Sequence, residues 1–528
     1  MPSIFFFHSI FFIVGKRLKN QKNVLFIVID QLRADCIFGS LAEKIQLPNI
    51  NKLISDSTAF KAHYSVANPC GPSRASLLTG QYAMNHRSVR NGTPLNANTV
   101  NIAEQMRKLR YEPMLFGYTD TSLDPRSVHP NDPAIATYEQ SMPGFSEKLE
   151  MRLEESYPWR SFIKQQGYPD RSYDDFYKPV QDPNGPKRID APAFYRAEHS
   201  DSAFLTDQTI QTLQVRTEQN WFAHVTYIRP HPPFVAPEPY NDMYANTDFA
   251  QAKTFNDSNS LDHTHPYLAI QQELMNSHEV VQGDFAKADK RDPEVARTMR
   301  SMYLGLITEV DHQVGRLIDF LKATDQYDST LIVVTADHGE MLGDHGIWGK
   351  QTIYDKAIHI PLIMRDPQNS VAHGSEVTAL TESVDIMPSI LHWCGMEKLP
   401  NALNGSSLLP FLQGVTPKHW REHIFYELEF GEPAKPTLFQ TRLDIDLHQA
   451  NVAILREEKY KLVHFNGALA PLLFDLESDP DETINLADNA EYTSVLVDML
   501  QKMLNHRMDN ADRSLSDMQV SAQGTVNF

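Results

Sequence analysis

Two long runs of mostly apolar residues have no alternating polar positions, and each run ends in a carboxylate. The first occupies residues 23–30 and ends at Asp30. The second occupies residues 329–337 and ends at Asp337, which His338 follows. Apolar, β-branched runs without polar alternation predict parallel strands that are covered on both faces. Because ligand sites in open α/β sheets form beyond the carboxyl ends of the strands, we expect these polar side chains to share one crevice, which predicts a metal site.

Segments with helical spacing alternate with these strands. Two examples are residues 101–109 and 296–321, where apolar positions recur three or four residues apart. This alternation predicts an α/β fold with a doubly wound mixed sheet flanked by helices.

The pattern changes in the last quarter of the chain, after residue 405. Short apolar segments separated by turn residues predict a smaller antiparallel sheet, with strands at residues 452–455, 460–465 and 472–475. A helix is predicted to follow over residues 491–508, and the polar residues beyond it predict an arm or a frayed tail.

Two long segments interrupt the alternation of strands and helices. Residues 124–194 and 237–292 are rich in proline, aspartate and asparagine, and irregular segments of this kind form lids, binding loops or oligomer contacts. The sequence leaves these three roles open. The second segment contains His263 and His265, which look like a metal pair, but we expect them to lie in a solvated loop.

These patterns divide the chain into four predicted parts. In chain order they are an N-terminal extension at 1–22, a catalytic α/β domain at 23–415, a smaller C-terminal α+β subdomain at 416–508, and a C-terminal arm at 509–528.

The N-terminal extension contains an apolar run at residues 4–14. As a helix this run is about 16 Å long, which is too short to cross a hydrocarbon core of about 30 Å. No basic residue precedes it and no cleavage site for a secretory signal follows it. A start codon assigned too far upstream is the simplest explanation, and a peripheral membrane anchor or an export signal is the alternative.

Composition and charge limit the classes of partner. The chain of 528 residues is 41% hydrophobic and 22% charged, which is typical of a soluble globular protein. Its net charge of −19 argues against duplex nucleic acid and anionic membranes as partners, but a small anion can bind where the site is locally positive. The three cysteines, Cys36, Cys70 and Cys394, are too few for a disulfide framework, so we expect a cytoplasmic protein.

The most informative motif is Cys-Gly-Pro-Ser-Arg at residues 70–74, followed by a short amphipathic run at 75–79 and by Gly80. Proline in the first turn and a glycine after the last turn predict a helix that begins at Cys70. Backbone N–H groups and the positive end of the helix dipole would stabilise an anion beside this cysteine. The motif therefore places the chemistry at Cys70, and the alternative is a buried thiol beside a helix cap.

This motif resembles the signature of the sulfatases, whose cysteine is oxidised after translation to formylglycine. The resemblance extends from about Asn23 to Leu515 and identifies the chain as similar to the sulfatase branch of the alkaline phosphatase superfamily. Within that branch the closer resemblance is to phosphonate monoester hydrolases, which are also phosphodiesterases. It rests on motifs at residues 30–35, 117–119, 124–126, 229–234 and 343–350.

The resemblance implies an alkaline-phosphatase-like fold and one divalent metal. The implied ligands are Asp30, Gln31, Asp337, His338 and the modified Cys70. Two carboxylates, one amide and one imidazole form a softer set than the carboxylate-rich shell of many sulfatases. This set favours Mn²⁺, with Fe²⁺, Zn²⁺ and Ca²⁺ as alternatives.

The resemblance also implies roles around the nucleophile. Arg74 would orient the modified residue, and the matching substrate-side positions are Asn91, Tyr118, His231 and Lys350. The alternative for Asn91 and Tyr118 is a role in packing or in a turn. Asp120 stands where the similar proteins carry threonine. A carboxylate at this position would repel an anionic substrate or form a hydrogen bond with a polar one.

The implied activity is hydrolysis of phosphonate monoesters and phosphodiesters through a covalent intermediate, with slower cleavage of sulfate esters. His231 or Lys350 would protonate the leaving group. The implied partners are a small anionic ester, a formylglycine-generating maturation enzyme and further copies of the chain, in a homotetramer. Two alternatives are a sulfatase acting on a small sulfate monoester and an unmodified, anion-binding pseudoenzyme.

Overall fold

A computed structural model of the chain describes residues 22–527, apart from 153–155, 217–219, 255–259, 275–279 and 468. Except for Lys22, the predicted N-terminal extension at 1–22 lies outside the described residues. Among the helices that the structure describes, none combines the length and the apolar character needed to cross a membrane.

The predicted doubly wound mixed sheet is confirmed. Most neighbouring strands of this main sheet are parallel, and the strand His359–Arg365 runs antiparallel to both of its neighbours. Across the sheet the order is β10 (Thr381–Glu382), β2 (Thr58–Tyr64), β8 (His359–Arg365), β7 (Thr330–Thr335), β1 (Asn23–Ile29), β6 (Trp221–Tyr227), β4 (Glu112–Gly117) and β5 (Ser146–Glu150), with β9 (Ser375–Val377) paired to β2.

The central strand explains why its sequence shows no polar alternation. Every residue of β1 is buried, and the strand is parallel to β6 on one side and to β7 on the other. Alternate residues enter different hydrophobic cores, since Leu25 and Ile27 belong to one cluster and Val24 and Phe26 to a second. Helices cover both faces of the sheet, which favours an apolar residue at each position from Val24 to Ile29.

The helices begin and end as follows: α1 (Asp35–Phe38), α2 (Pro48–Ser55), α3 (Cys70–Thr79), α4 (Ala83–His86), α5 (Ile102–Lys108), α6 (Tyr157–Gln165), α7 (Tyr173–Phe176), α8 (Asp201–Gln214), α9 (Leu261–Thr264), α10 (Pro266–Leu274), α11 (Pro293–Ala323), α12 (Asp355–Ile358), α13 (Ile386–Trp393), α14 (Leu409–Leu412), α15 (Leu438–Leu443) and α16 (Thr493–Asp509). The helices predicted at 101–109, 296–321 and 491–508 correspond to α5, α11 and α16.

The smaller C-terminal sheet is also confirmed, with two strands that the sequence did not predict. Its order is β14 (Leu472–Asp475), β13 (Tyr460–Phe465), β12 (Asn451–Glu457), β11 (His423–Glu429) and β3 (Ala67–Asn68). The first four strands pair antiparallel, whereas β3 joins β11 in parallel. Because β3 ends two residues before Cys70, this sheet helps to fix the start of α3.

The two segments predicted to be irregular contribute more to the fold than their composition suggests. The first supplies β5 to the edge of the main sheet, and it supplies α6, whose Trp159 and Ile163 enter the main core. In the second, His265 is buried and stacks on Phe465, with ring centroids 5.1 Å apart. The prediction that His265 lies in a solvated loop is therefore wrong, because the C-terminal sheet covers it. The last residues form a hairpin of β15 (Met518–Ser521) and β16 (Gly524–Asn527).

Candidate active site

Two neighbouring parallel strands bring the predicted acidic groups together. Asp30 directly follows β1 and Asp337 follows β7 by two residues, so both side chains lie beyond the same edge of the main sheet. One ligand atom from each of Asp30, Cys70, Asp337 and His338 lies within 4.8 Å of the other three, and all four residues are buried. The structure therefore brings together four of the five predicted metal ligands.

The helix that carries the predicted nucleophile begins at Cys70, as expected. Its Sγ atom lies 3.1 Å from Nε2 of His338. Every residue of α3 is buried, so the prediction of an amphipathic run at 75–79 is wrong. The helix ends at Gly80, whose φ of 65° is a left-handed conformation that glycine adopts without strain.

Arg74 lies one helical turn after Cys70 and balances the two carboxylates. Its Nε donates to Oδ2 of Asp337 and its Nη2 donates to Oδ2 of Asp30, each at 3.0 Å. Its Nη1 also donates to Thr226 of β6 at 2.9 Å. Only 1% of the Arg74 side chain is exposed, so these bonds replace the water that the guanidinium loses on burial. Arg74 therefore positions the predicted metal ligands.

The donor atoms at this sheet edge fit a divalent cation. Oδ1 of Asp30 is buried and has no hydrogen-bond partner among the described residues. Nδ1 of His338 donates to the carbonyl of Gly339 at 3.0 Å, which leaves the lone pair of Nε2 on the side of Cys70. Burial and the charge on Lys350 lower the pKa of His338 to about 3, so its imidazole is neutral at neutral pH. A neutral imidazole and an unpartnered carboxylate oxygen are both good metal ligands.

Gln31, the fifth predicted ligand, lies beside this cluster. Its backbone has a φ of 66°, which is uncommon for a residue with a side chain, and its N–H donates to Oδ1 of Asp337 at 3.1 Å. Its Oε1 accepts a hydrogen bond of 2.8 Å from Nζ of Lys350, and its Nε2 donates to Glu340. Burial by itself lowers the pKa of Lys350, but the neighbouring acidic groups, among them the carboxylates of Asp30 and Asp337, outweigh burial and raise that pKa. Lys350 is therefore an ammonium at the site.

Tyr118 and Asn91, two predicted substrate-side residues, already have partners in the protein. The Tyr118 hydroxyl donates to Asp30, and the Arg74 guanidinium lies 4.2 Å from the centre of the Tyr118 ring. Asn91 Oδ1 accepts the backbone N–H of Gly71 at 2.9 Å, next to the nucleophile. Tyr118 therefore belongs to the carboxylate network, and Asn91 supports the first turn of α3.

His231 lies beyond the carboxyl end of β6, the strand next to β1. Its Nδ1 donates to the carbonyl of Pro232 at 2.6 Å, which leaves Nε2 free of that bond. Burial and the charge on Lys350 lower the pKa of His231 to about 3. In the site without substrate, the imidazole is therefore neutral at neutral pH.

Asp120 adopts a left-handed conformation with a φ of 53°, and its backbone lies beside Gly71. Among the described residues, no hydrogen bond reaches its nearly buried carboxyl group. Burial raises the pKa of Asp120 to about 8, Arg74 opposes the rise, and Glu139 adds to it. The expected repulsion of anions by Asp120 is therefore weak at neutral pH, where most of the carboxyl groups are protonated.

Sequence reasoning missed two residues that hold the site together. Thr226 is the hydroxyl partner of Arg74, and Glu340 is the carboxylate partner of Gln31. Thr226 is a polar residue near the end of the mostly apolar strand β6, and this position is the sequence signal that could have identified it. Glu340 lies three residues after Asp337, but its separation of 309 residues from Gln31 hides the contact between them.

The chain is similar along nearly its whole length to sulfatases and to phosphonate monoester hydrolases. The profile of the sulfatase family matches residues 22–396, and the profile for the C-terminal part of N-sulphoglucosamine sulphohydrolase matches residues 343–509. The multifunctional alkaline phosphatase superfamily protein PehA of Trinickia caryophylli is 36% identical over 512 residues, which are 96% of this chain and 98% of that protein.

Two solved structures are similar as well. The phosphonate monoester hydrolase SpPMH of Silicibacter pomeroyi has a TM-score of 0.92 and 50% identity, and the match covers 96% of this chain and 99% of that one. The phosphonate monoester hydrolase of Agrobacterium radiobacter has a TM-score of 0.90 and 37% identity, over 96% of this chain and 100% of that one.

Proposed function

We propose that this chain, which belongs to the sulfatase family of the alkaline phosphatase superfamily, is a metal-dependent formylglycine hydrolase of phosphonate monoesters and phosphodiesters. The observation that carries the proposal is the meeting of Asp30, Cys70, Asp337 and His338 at one sheet edge. The similarity to two phosphonate monoester hydrolases supports the substrate class.

Cys70 acts in this proposal after oxidation to formylglycine. Burial and the charge on Asp30 raise the pKa of the unmodified thiol well above its usual range, so the thiol is protonated and a poor nucleophile. The hydrated aldehyde would supply two geminal hydroxyls. One would lose its proton and attack phosphorus, and the displaced alkoxide would take a proton from His231 or Lys350. The other hydroxyl would then lose its proton to a base, so that the adduct breaks at its C–O bond. That second step releases the phosphonate or phosphate monoester and restores the aldehyde.

A divalent cation held by Asp30, Gln31, Asp337, His338 and the modified Cys70 would acidify the nucleophile and neutralise charge on the transferring group. The ligand set favours Mn²⁺ over the harder Ca²⁺. Arg74 keeps both carboxylates in place through its two bonds of 3.0 Å. The Lys350 ammonium supplies positive charge for a non-bridging oxygen of the substrate.

The proposed substrate class is tested by kcat/KM on four 4-nitrophenyl esters: a phosphonate monoester, a phosphodiester, a phosphate monoester and a sulfate monoester. We expect the first two to be the better substrates. Sulfatase activity is the second candidate, because the sulfatase profile matches most of the chain. A sulfate ester that exceeds the phosphonate ester about tenfold, or by ~1.4 kcal/mol of transition-state stabilisation, would move the assignment to sulfatase.

His231→Ala should slow esters with alkyl leaving groups by about 10²–10⁴-fold, and nitrophenyl esters much less. A basic alkoxide needs a proton to leave, whereas nitrophenolate does not. Burial and the Lys350 charge lower the pKa of the imidazole, and a phosphoryl anion bound near His231 raises it, which favours the protonated form of His231 in the complex with substrate. The measurement is kcat/KM for a matched series of phosphonate esters. Equal losses of kcat/KM across the series would indicate that Lys350 donates the proton and that His231 contributes to substrate binding instead.

Asp120 should make substrate binding depend on pH. Because its pKa is raised to about 8, the carboxyl group is neutral below that pH and anionic above it. We expect KM for a singly charged phosphonate ester to rise about tenfold as the pH is raised from about 7 to about 9. Asp120 loses its proton over this range, and the resulting carboxylate repels the substrate. Asp120→Asn and Asp120→Thr should remove this rise. If both variants keep the pH profile of the parent enzyme, Asp120 does not face the substrate.

A further inference from the structure

Glu340 is a buried carboxylate that joins a predicted metal ligand to the loop that carries Lys350. It is 0% exposed. Its Oε2 accepts a hydrogen bond from Nε2 of Gln31. Its Oε1 accepts the backbone N–H groups of Leu342 at 3.0 Å and of Gly349 at 2.6 Å. One side chain therefore contacts the end of β1 and both ends of the loop at residues 341–350.

The two partners of Gln31 determine which way its amide points. Lys350 donates to Oε1 at 2.8 Å, and Glu340 accepts from Nε2. An ammonium can only donate and a carboxylate can only accept, so both bonds form in just one of the two amide orientations. In the flipped amide, the NH₂ group would meet the ammonium and the oxygen would meet the carboxylate. Glu340 and Lys350 thus fix the orientation of the Gln31 amide, with its oxygen toward Lys350 and its NH₂ group toward Glu340.

The same carboxylate holds the backbone next to Lys350. Gly349 directly precedes this lysine, and the Gly349 N–H donates to Oε1 of Glu340. The N–H of Met341 donates to the carbonyl of Gly349 at 2.9 Å and closes the loop. Without the Glu340 carboxylate, two buried N–H groups of this loop would lose their acceptor.

We propose that Glu340 is a positioning residue, which presents the amide oxygen of Gln31 to the metal and holds the Lys350 loop against it. The inference rests on the proposed metal-dependent function. The side chain of an aspartate in the place of Gln31 would carry no N–H group and would need no hydrogen-bond acceptor. The Glu340 carboxylate is therefore what allows an amide to serve as a ligand at this position.

The test compares Mn²⁺ affinity, measured by chelator competition on purified protein, between the parent enzyme and Glu340→Gln. We expect the dissociation constant to rise by about 10–100-fold, as for other groups that orient a metal ligand. Glu382→Gln is the matched control, because Glu382 is also fully buried and accepts a backbone N–H, that of Phe425 at 2.7 Å, away from the metal ligands. This control should leave the affinity for Mn²⁺ unchanged.

A double-mutant cycle shows whether Glu340 acts through Gln31. Once Gln31→Ala has removed the amide, adding Glu340→Gln should change the dissociation constant for Mn²⁺ by less than about twofold. Equal Mn²⁺ affinity of Glu340→Gln and the parent enzyme, or full additivity in the cycle, would overturn the inference.

Two further measurements keep the outcome interpretable. If Glu340→Gln does not fold, Glu340→Asp retains the charge but shortens the side chain, and its Mn²⁺ affinity is measured instead with the same expectation. If the parent enzyme itself binds no Mn²⁺ or other divalent metal, the proposed function fails. If the parent enzyme binds metal and the Glu340 variants bind it equally well, only the role of Glu340 fails.

Discussion

Cys70→Ala should abolish turnover, with a loss of about 10⁴–10⁶-fold in kcat, while the fold stays intact. The side chain is the proposed nucleophile, and it lies 3.1 Å from His338 among the predicted metal ligands. Cys70→Ser should give at most one turnover per site, because a seryl ester has no second hydroxyl through which to break. Activity is measured on a 4-nitrophenyl phosphonate ester, and circular dichroism verifies the fold.

Cys394→Ala is the matched control, since Cys394 is half-buried in the hydrophobic cluster behind the sheet and should tolerate alanine. Mass spectrometry of the tryptic peptide at residues 62–74 tests the modification itself. When the host supplies the maturation enzyme, this peptide should carry an aldehyde at position 70. An active enzyme in which that peptide is entirely an alkylatable thiol would rule out the formylglycine route. An inactive protein with an intact thiol and bound anion would instead support a pseudoenzyme.

Removal of the metal, or of either carboxylate that is proposed to hold it, should lower kcat/KM by at least about 10³-fold. The metal is expected to contribute several kcal/mol of charge stabilisation in the transition state, and each ~1.4 kcal/mol is a factor of ten in rate. The variants are Asp30→Asn and Asp337→Asn, and both are compared with parent enzyme treated with a chelator and then supplied again with Mn²⁺.

Asp311→Asn is the control for the loss of a buried carboxylate. Asp311 is fully buried and accepts the N–H of Ile50 at 2.7 Å, but it does not belong to the group of potential metal ligands. This variant should retain most of its activity. Full activity of the metal-free parent enzyme would contradict the proposed mechanism. Gln31→Asp should shift the preference toward harder cations such as Ca²⁺.

The central strands could be predicted from sequence because burial on both faces imposes an apolar residue at every position. This requirement is visible in residues 24–29 alone, and the structure places all of them in the two hydrophobic clusters. The bounds of α3 could also be predicted from nearby residues, since Pro72 lies in its first turn and Gly80 follows its last turn. By contrast, composition did not reveal the regular elements within residues 124–194. Trp159 enters the main core there and β5 pairs with β4, although proline and aspartate surround them.

What the sequence determined by itself is therefore the strand ends, the helix at Cys70 and the residue types that meet at the sheet edge. Which atom contacts which was decided only by the tertiary structure. Cys70 and His338 are 268 residues apart in the chain, and Gln31 and Glu340 are 309 apart. Local patterns record burial and capping, which depend on neighbours within a few residues. The partners of Gln31 and the raised pKa of Asp120 depend on groups that only folding brings near, so the chain order carries no signal for them.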